Sequence, residues 1–405
     1  MNPSLHQLTT AKTLTPNKVR IESVDVLRGL VMVIMALDHT RDLFHSAAFA
    51  NDPLNLASTT PALYFTRWVT HFCAPIFVFL SGTSIYLQSL RKTKKELSRF
   101  LIQRGLWLIV AELTIITLGI TFNPFYNVLI LQVIWVIGIS MVILGLLIYL
   151  PFRLILALGL AIVLGHNLLD ASEAAPGFKP NVWWSLLHQT GLYPYAPNYM
   201  VLVSYPLAPW LGLMLLGYCI GTFFKPTVSP TRRRTVLTRM GLGLIAFFIV
   251  LRFSGIYGDP LPWSQQKDSL FTLLSFLNVQ KYPPSLLYMC ITIGPALLFL
   301  ATIEPVKNRF TRLIGTFGRT AFFYYIAHWY LLHTVCLLVF LMRGHSLAEA
   351  AKIPIPIKFV VPGEGFSLPV VYLIWATLIL ILYPLCRWYD AYKTAHKEQW
   401  WLSYL

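Results

Sequence analysis

Ten stretches of this chain are each about long enough to cross the hydrocarbon core of a bilayer, which takes roughly 20 residues in a helix. They cover residues 24–44, 64–87, 100–120, 125–148, 151–169, 203–224, 237–256, 284–303, 320–340 and 368–388. Backbone polar groups in lipid must be satisfied within the segment, so each is expected to be a helix, and no alternating short-strand pattern suggests a barrel. Composition agrees. The chain is 56% hydrophobic and only 12% charged, about half the charge of an average soluble domain. The expectation is an all-α integral membrane protein, one bundle of about ten transmembrane helices with structured extracytoplasmic loops.

The net charge of +16 would suggest nucleic acid in a soluble protein. Here the basic residues alternate between loops. One set, including Lys18, Arg20, Arg91, Lys92, Lys94, Lys95, Arg153, Arg232, Arg233, Arg234, Lys307, Arg309, Arg312 and Arg387, is dense. The opposite loops are longer and poorer in charge. The dense set faces the cytoplasm by the positive-inside rule, which puts both termini there. Residues 1–20 then form a cytoplasmic tail, 21–392 the membrane domain and 393–405 a second tail. The expected location is the cytoplasmic membrane, multi-pass, with the lipid bilayer as a partner and no nucleic acid. A homodimer is compatible with this reading. Residues 1–20 have no signal-peptide apolar core.

The first segment, VDVLRGLVMVIMALDHTRDLF, carries ionisable groups to a depth where each costs about 2.5–3.5 kcal/mol to insert. Helical spacing puts Asp25, Arg28, Met32, Met35, His39 and Asp42 near one face, which should look into the bundle. Asp38 and Arg41, three apart, can pair along the helix. A helix-end ion pair accounts for Arg41 and Asp42 as well as a site does. It does not account for His39, whose titration range suits a general base. His71 enters from the same outer side and is expected at a similar depth, with Pro75 loosening its helix one turn on. Arg252, Lys281, Tyr282, His166, Asn167, His328 and His333 add polar groups at the outer level or in mid-membrane, which suggests a polar chamber open to the outside. Arg28 and Arg319 sit at the inner side, where lipid phosphate or an anionic ligand would meet them.

The five cysteines, none in CxxC spacing, read as small core residues. No HExxH spacing is present and no metal is expected; nor is there a P-loop, GxGxxG or GxSxG motif. Transport of a small polar or anionic solute is the alternative to chemistry. It predicts matching broken segments in two repeats, and the halves show no clear self-similarity.

RIESVDVLRGLVMVIMALDHTRDLF followed by HFCAPIFVFLSGTSIYL resembles the bacterial relatives of heparan-alpha-glucosaminide N-acetyltransferase, within the transmembrane acyltransferase superfamily. Further blocks agree, among them LGHNLLD, LRFSGIYGDP, LSFLNVQKYPPSLLY and FGRTAFFYYIAHWYLLH, so the resemblance covers nearly the full chain. It implies a transferase that takes an acetyl group from acetyl-CoA, loaded from the cytoplasm, to a hydroxyl or amine acceptor, a small molecule or glycan, on the other side. His39 falls where the family places an asparagine, and the family's loop histidine has His45 as a loose counterpart. For such a transfer the residues suggest His39 as base, Asp38 or Asp42 orienting it, and His71 or a nearby donor at the oxyanion. Arg28 and Arg319 are expected at CoA phosphates. The acceptor is expected at Arg41, Asp42, Arg252, Lys281, Tyr282 and His328.

Overall fold

A computed structural model describes residues 21–353 and 355–403. The N-terminal tail expected over 1–20, with Lys18 and Arg20 of the basic set, lies outside the described residues, as do 404–405. Inner and outer denote below the two faces assigned from the loop charges.

The longer helices, in chain order, are α1 Glu22–Phe44, α2 Pro61–Ser89, α3 Lys94–Thr121, α4 Val133–Leu147, α5 Phe152–Glu173, α6 Leu207–Phe224, α7 Pro230–Ser254, α8 Leu286–Ile303, α9 Arg309–Arg319, α10 Ala321–Met342 and α11 Leu368–Ala395. Eight of them are long and apolar enough to cross a membrane. The other two of the ten expected are α1 and α4. The 23 residues of α1 reach about 35 Å, but its charges disqualify it as a lipid-facing span. The bundle resolves this by placing α1 in the middle, against α2, α8, α9, α10 and α11. The Trp375 indole of α11 donates to the Val33 carbonyl at 2.9 Å.

Two glycines set how closely α1 sits on α9. A Cβ at Gly29 would overlap the Ile314 carbonyl oxygen, and one at Gly318 would overlap the Asp25 carbonyl oxygen. The two backbones therefore touch, as small residues permit in membrane bundles. The helix α9 is amphipathic, with Ile314 and Phe317 buried and Arg309, Phe310 and Arg312 outward.

The segment 125–148 departs from the single helix expected. It is a strand, β1 Val128–Leu131, followed by the 15-residue α4. Two more strands come from the outer loop, β2 Gly191–Ala196 and β3 Tyr199–Val203. The sheet order is β1-β3-β2, with β1 parallel to β3 (Val128 beside Met200) and β2 antiparallel to it. Strand pairing satisfies the backbone as a helix would, and Ile130 and Leu202 border a cavity rather than lipid, the circumstance that tolerates non-helical backbone at depth.

Local signals fix the helix ends. Thr93 and Glu96 form a capping box on α3, and Ser229 and Ser285 cap α7 and α8. In α2 a 3₁₀ turn, Thr70–Phe72, precedes Pro75. Proline has no N–H for the carbonyl of His71 four residues back. The Tyr288 hydroxyl of α8 donates to that freed carbonyl at 2.7 Å.

Candidate active site

The outer halves of α1 and α2 and the first half of α10, with the sheet and three outer loops, enclose a cavity of about 410 Å³. The α1 helix supplies Met35, Asp38, His39 and Asp42; α2 supplies Arg67, Thr70, Cys73 and Phe77. Tyr325 and Trp329 of α10, Gln132 ahead of α4, Ser204 and Tyr205 after β3, and Lys281 and Tyr282 before α8 complete its polar and aromatic wall. Pro356 and Ile357 reach it from the loop before α11.

His39 is held from two directions. Its ring stacks on Trp329 with centroids 4.0 Å apart. Its Nδ1 lies 2.7 Å from Nε2 of His328, whose own Nδ1 lies 3.1 Å from the Tyr324 carbonyl oxygen. A carbonyl only accepts, so His328 Nδ1 carries a proton. In the neutral imidazole Nε2 is then the acceptor, and His39 Nδ1 must donate to it. The lone pair of His39 is left on Nε2. His328 itself is fully buried and forms no part of the cavity wall, so it bears on the site through His39 and not by touching an acceptor.

Asp38 does not orient His39. Its carboxylate sits between two guanidiniums, with Arg41 at 3.0 Å on one oxygen and Arg67 on the other. Arg41 also pairs with Asp42. Asp38, Arg41 and Asp42 of the outer α1 turn thus form an ion network with Arg67 of α2.

His71 also departs from expectation. It is 2% exposed, its ring meets Tyr288 edge-on at 5.4 Å, and it is absent from the cavity wall. Thr70, Cys73 and Phe77 hold the cavity-facing positions of α2, and His71 is turned away from them towards α8. The imidazole beside His39 is His328 instead.

Arg252, expected at the acceptor, is a loop anchor. Its guanidinium donates to the carbonyls of Phe276 (2.9 Å), Ser275 (3.0 Å), Asn278 (2.7 Å) and Leu261 (2.5 Å) and pairs with Asp259. It builds the loop that carries Lys281 and Tyr282 to the cavity. Lys281 lies over the Tyr282 ring at 5.1 Å.

At the inner face, Arg28 contacts Asp25, Ser84 and the Gly318 carbonyl, joining α1, α2 and α9. Arg319 pairs with Asp390 at 2.7 Å. It lines an open inner groove with Arg309, Arg312 and Arg387. His45 borders a small pocket beside Phe366, apart from the cavity.

Trp329, Tyr325, Tyr205 and Gln132 belong to the wall and were not singled out from sequence. Trp329 had a signal, standing directly after His328 in IAHWY. The others had none: Tyr325 is one of four consecutive aromatic residues, and Gln132 and Tyr205 are lone polar or aromatic residues beside apolar runs. The site so built has a nitrogen base with its second nitrogen fixed, flanked by cations and aromatic rings, in a cavity on the outer side.

Residues 20–251 match the family described as heparan-alpha-glucosaminide N-acetyltransferase, catalytic. No curated protein sequence matches the chain. With more than half its length matched, the chain belongs to the heparan-alpha-glucosaminide N-acetyltransferase catalytic family.

Proposed function

We propose that this protein transfers an acetyl group from cytoplasmic acetyl-CoA to a hydroxyl or amine on an extracytoplasmic acceptor, a sugar or cell-envelope glycan, with His39 as the base. Family membership supports a membrane acetyltransferase in general. The observation that carries the finer reading is the His39–His328–Tyr324 chain, which leaves Nε2 of His39 unprotonated in the cavity.

In this reading, His39 Nε2 takes the proton of the acceptor O–H or N–H as that atom attacks the thioester carbonyl. The C–S bond breaks and the proton leaves with the CoA thiolate. Lys281 and Tyr282, in the same wall, are the donors for the oxyanion. Asp42 and Arg67 bind acceptor hydroxyls, and Tyr205 and Trp329 offer ring faces. On the donor side, Arg319 with Arg309, Arg312 and Arg387 supplies guanidiniums for CoA phosphates. Arg28 holds the helices that frame them.

The test uses the purified full-length chain with radiolabelled acetyl-CoA and a panel of amino sugars and glycans. Wild type is expected to bind acetyl-CoA and to release CoA with an acetylated acceptor. His39→Gln is expected to bind the donor equally and to lose about 10²–10⁴ in turnover. Solute uptake into vesicles without thioester turnover would replace this reading by the transport one.

A further inference from the structure

We propose that Asp170, Glu173 and His188 bind a divalent transition-metal ion of the zinc class at the outer end of α5. One ligand atom from each, two carboxylate oxygens and an imidazole nitrogen, lies within 4.8 Å of the others, and it is Nδ1 of His188 that faces Glu173, at 2.8 Å. The side chain of His188 is fully buried and that of Glu173 is 7% exposed. Nitrogen plus carboxylate oxygen in a three-ligand set is the donor chemistry of zinc sites that keep a fourth position for water.

Charge balance points the same way. Four other carboxylates of the bundle are matched by guanidiniums, Asp38 by Arg41 and Arg67, Asp259 by Arg252, Glu304 by Arg233 and Asp390 by Arg319, while the buried Glu112 accepts from the Trp135 N–H instead. Among the described residues, neither Asp170 nor Glu173 has a lysine or arginine at ion-pair distance; Glu173 has only His188. The two acids stand one helical turn apart, where like charges repel. A divalent cation would offset both.

An independent feature is an imidazole nitrogen with nothing to bond. His166 is 5% exposed and its Nε2 is buried without a hydrogen-bond partner. Its Nδ1 lies 3.2 Å from Nε2 of His188, whose Nδ1 lies 2.8 Å from Glu173. Without metal, His188 Nδ1–H donates to the carboxylate, His188 Nε2 accepts from His166 Nδ1–H, and His166 Nε2 is bare. A metal on His188 Nδ1 must displace that proton. The relay accommodates it. The His166 Nδ1 proton passes to His188 Nε2, and the displaced proton settles on His166 Nε2, so the ring pair holds two protons before and after. The carboxylates are also held from outside, with Asn167 donating to Asp170 and Trp184 to Glu173, both at 2.7 Å, as outer partners hold metal ligands.

The ion would tie the end of α5 to the chain two residues before Thr190, which lines the cavity, and hence to β2 and β3 above it. It is a staple for the cavity roof and stands independently of the acetyl-transfer reading.

The test is metal content by mass spectrometry of the purified full-length chain, with thermal melting in chelator and in about 100 µM Zn²⁺. Expected are one zinc per chain and a higher melting temperature with Zn²⁺. Both should be lost in Asp170→Asn and His188→Gln, checked as folded by size exclusion. His166→Leu should bind at least tenfold more weakly. A cobalt-substituted sample should show visible absorption that disappears in Asp170→Asn. No retained zinc and no melting shift in wild type would overturn the site. Equal occupancy in wild type and Asp170→Asn would mean an adventitious ion only, and would overturn it too.

Discussion

Nε2 of His328 accepts from Nδ1 of His39 across 2.7 Å, while Nδ1 of His328 donates to the Tyr324 carbonyl one helical turn back. The direction of the first bond is dictated by the second, since an oxygen of a peptide group offers no proton. Replacing His328 should therefore act on His39 without touching a substrate. His328→Leu is expected to lower turnover by about 10²–10³, with little change in acetyl-CoA affinity. His328→Gln, whose amide oxygen can still accept, should recover part of the loss. Equal activity in His328→Leu and wild type would remove His328 from the mechanism.

Asp38 sits between Arg41 and Arg67 with 10% of its side chain exposed. Asp38→Asn leaves two buried guanidiniums facing one another. Breaking a buried pair in this way costs about 3–5 kcal/mol. The variant should melt well below wild type, and the double variant Asp38→Asn, Arg67→Gln should regain part of the loss.

Arg252 donates to four carbonyls, those of Leu261, Ser275, Phe276 and Asn278. Arg252→Met should cost about 3–5 kcal/mol and raise hydrogen exchange over residues 259–280. Because Lys281 and Tyr282, the oxyanion donors, follow that loop, turnover should fall while donor binding is retained.

Gly29→Ala or Gly318→Ala should separate α1 from α9, since each added methyl meets a backbone carbonyl that cannot move aside. A cost of about 1–3 kcal/mol is expected, read as lowered yield and melting temperature. Gly243→Ala, on α7, has open space around its Cβ and should be neutral.

His345, in the outer loop after α10, bonds Glu364 at 2.8 Å and Glu349 at 2.9 Å, and these two bonds raise its pKa above the usual imidazole range. The clasp is fully present below the pKa of the unfolded chain and is lost as pH rises through the raised folded value. The hydrogen-exchange protection of residues 345–366, observed rate set against the intrinsic rate at the same pH, should be greater at acidic than at alkaline pH. In His345→Gln that protection should not change with pH across the range.

The spans were legible because length and apolarity suffice to define a helix in lipid. The exception, residues 125–148, failed for a physical reason. Asn123 and Asn127 flank a turn, and the β-branched run after it can pair with a strand far along the chain, which local apolarity does not reveal. At the site, His39 was legible from its depth in a charged helix. Its partner was not, because His328 lies 289 residues on and pairing is a tertiary fact. His71 was misplaced because α2 changes its winding at Thr70–Phe72, which shifts the helical phase. Arg252 was misread because cations that bind ligands and cations that bind carbonyls look the same in sequence.

The parallel pairing of Val128 with Met200 has a bearing on biogenesis. Two helices, α4 and the membrane-spanning α5, are made between these strands, so β1 must wait with its edge unsatisfied until β3 has been translated. Closing so long a loop is entropically slow. Assembly of the chamber is thus a late step, and truncated or stalled chains would insert their early helices yet expose an adhesive strand to neighbouring proteins.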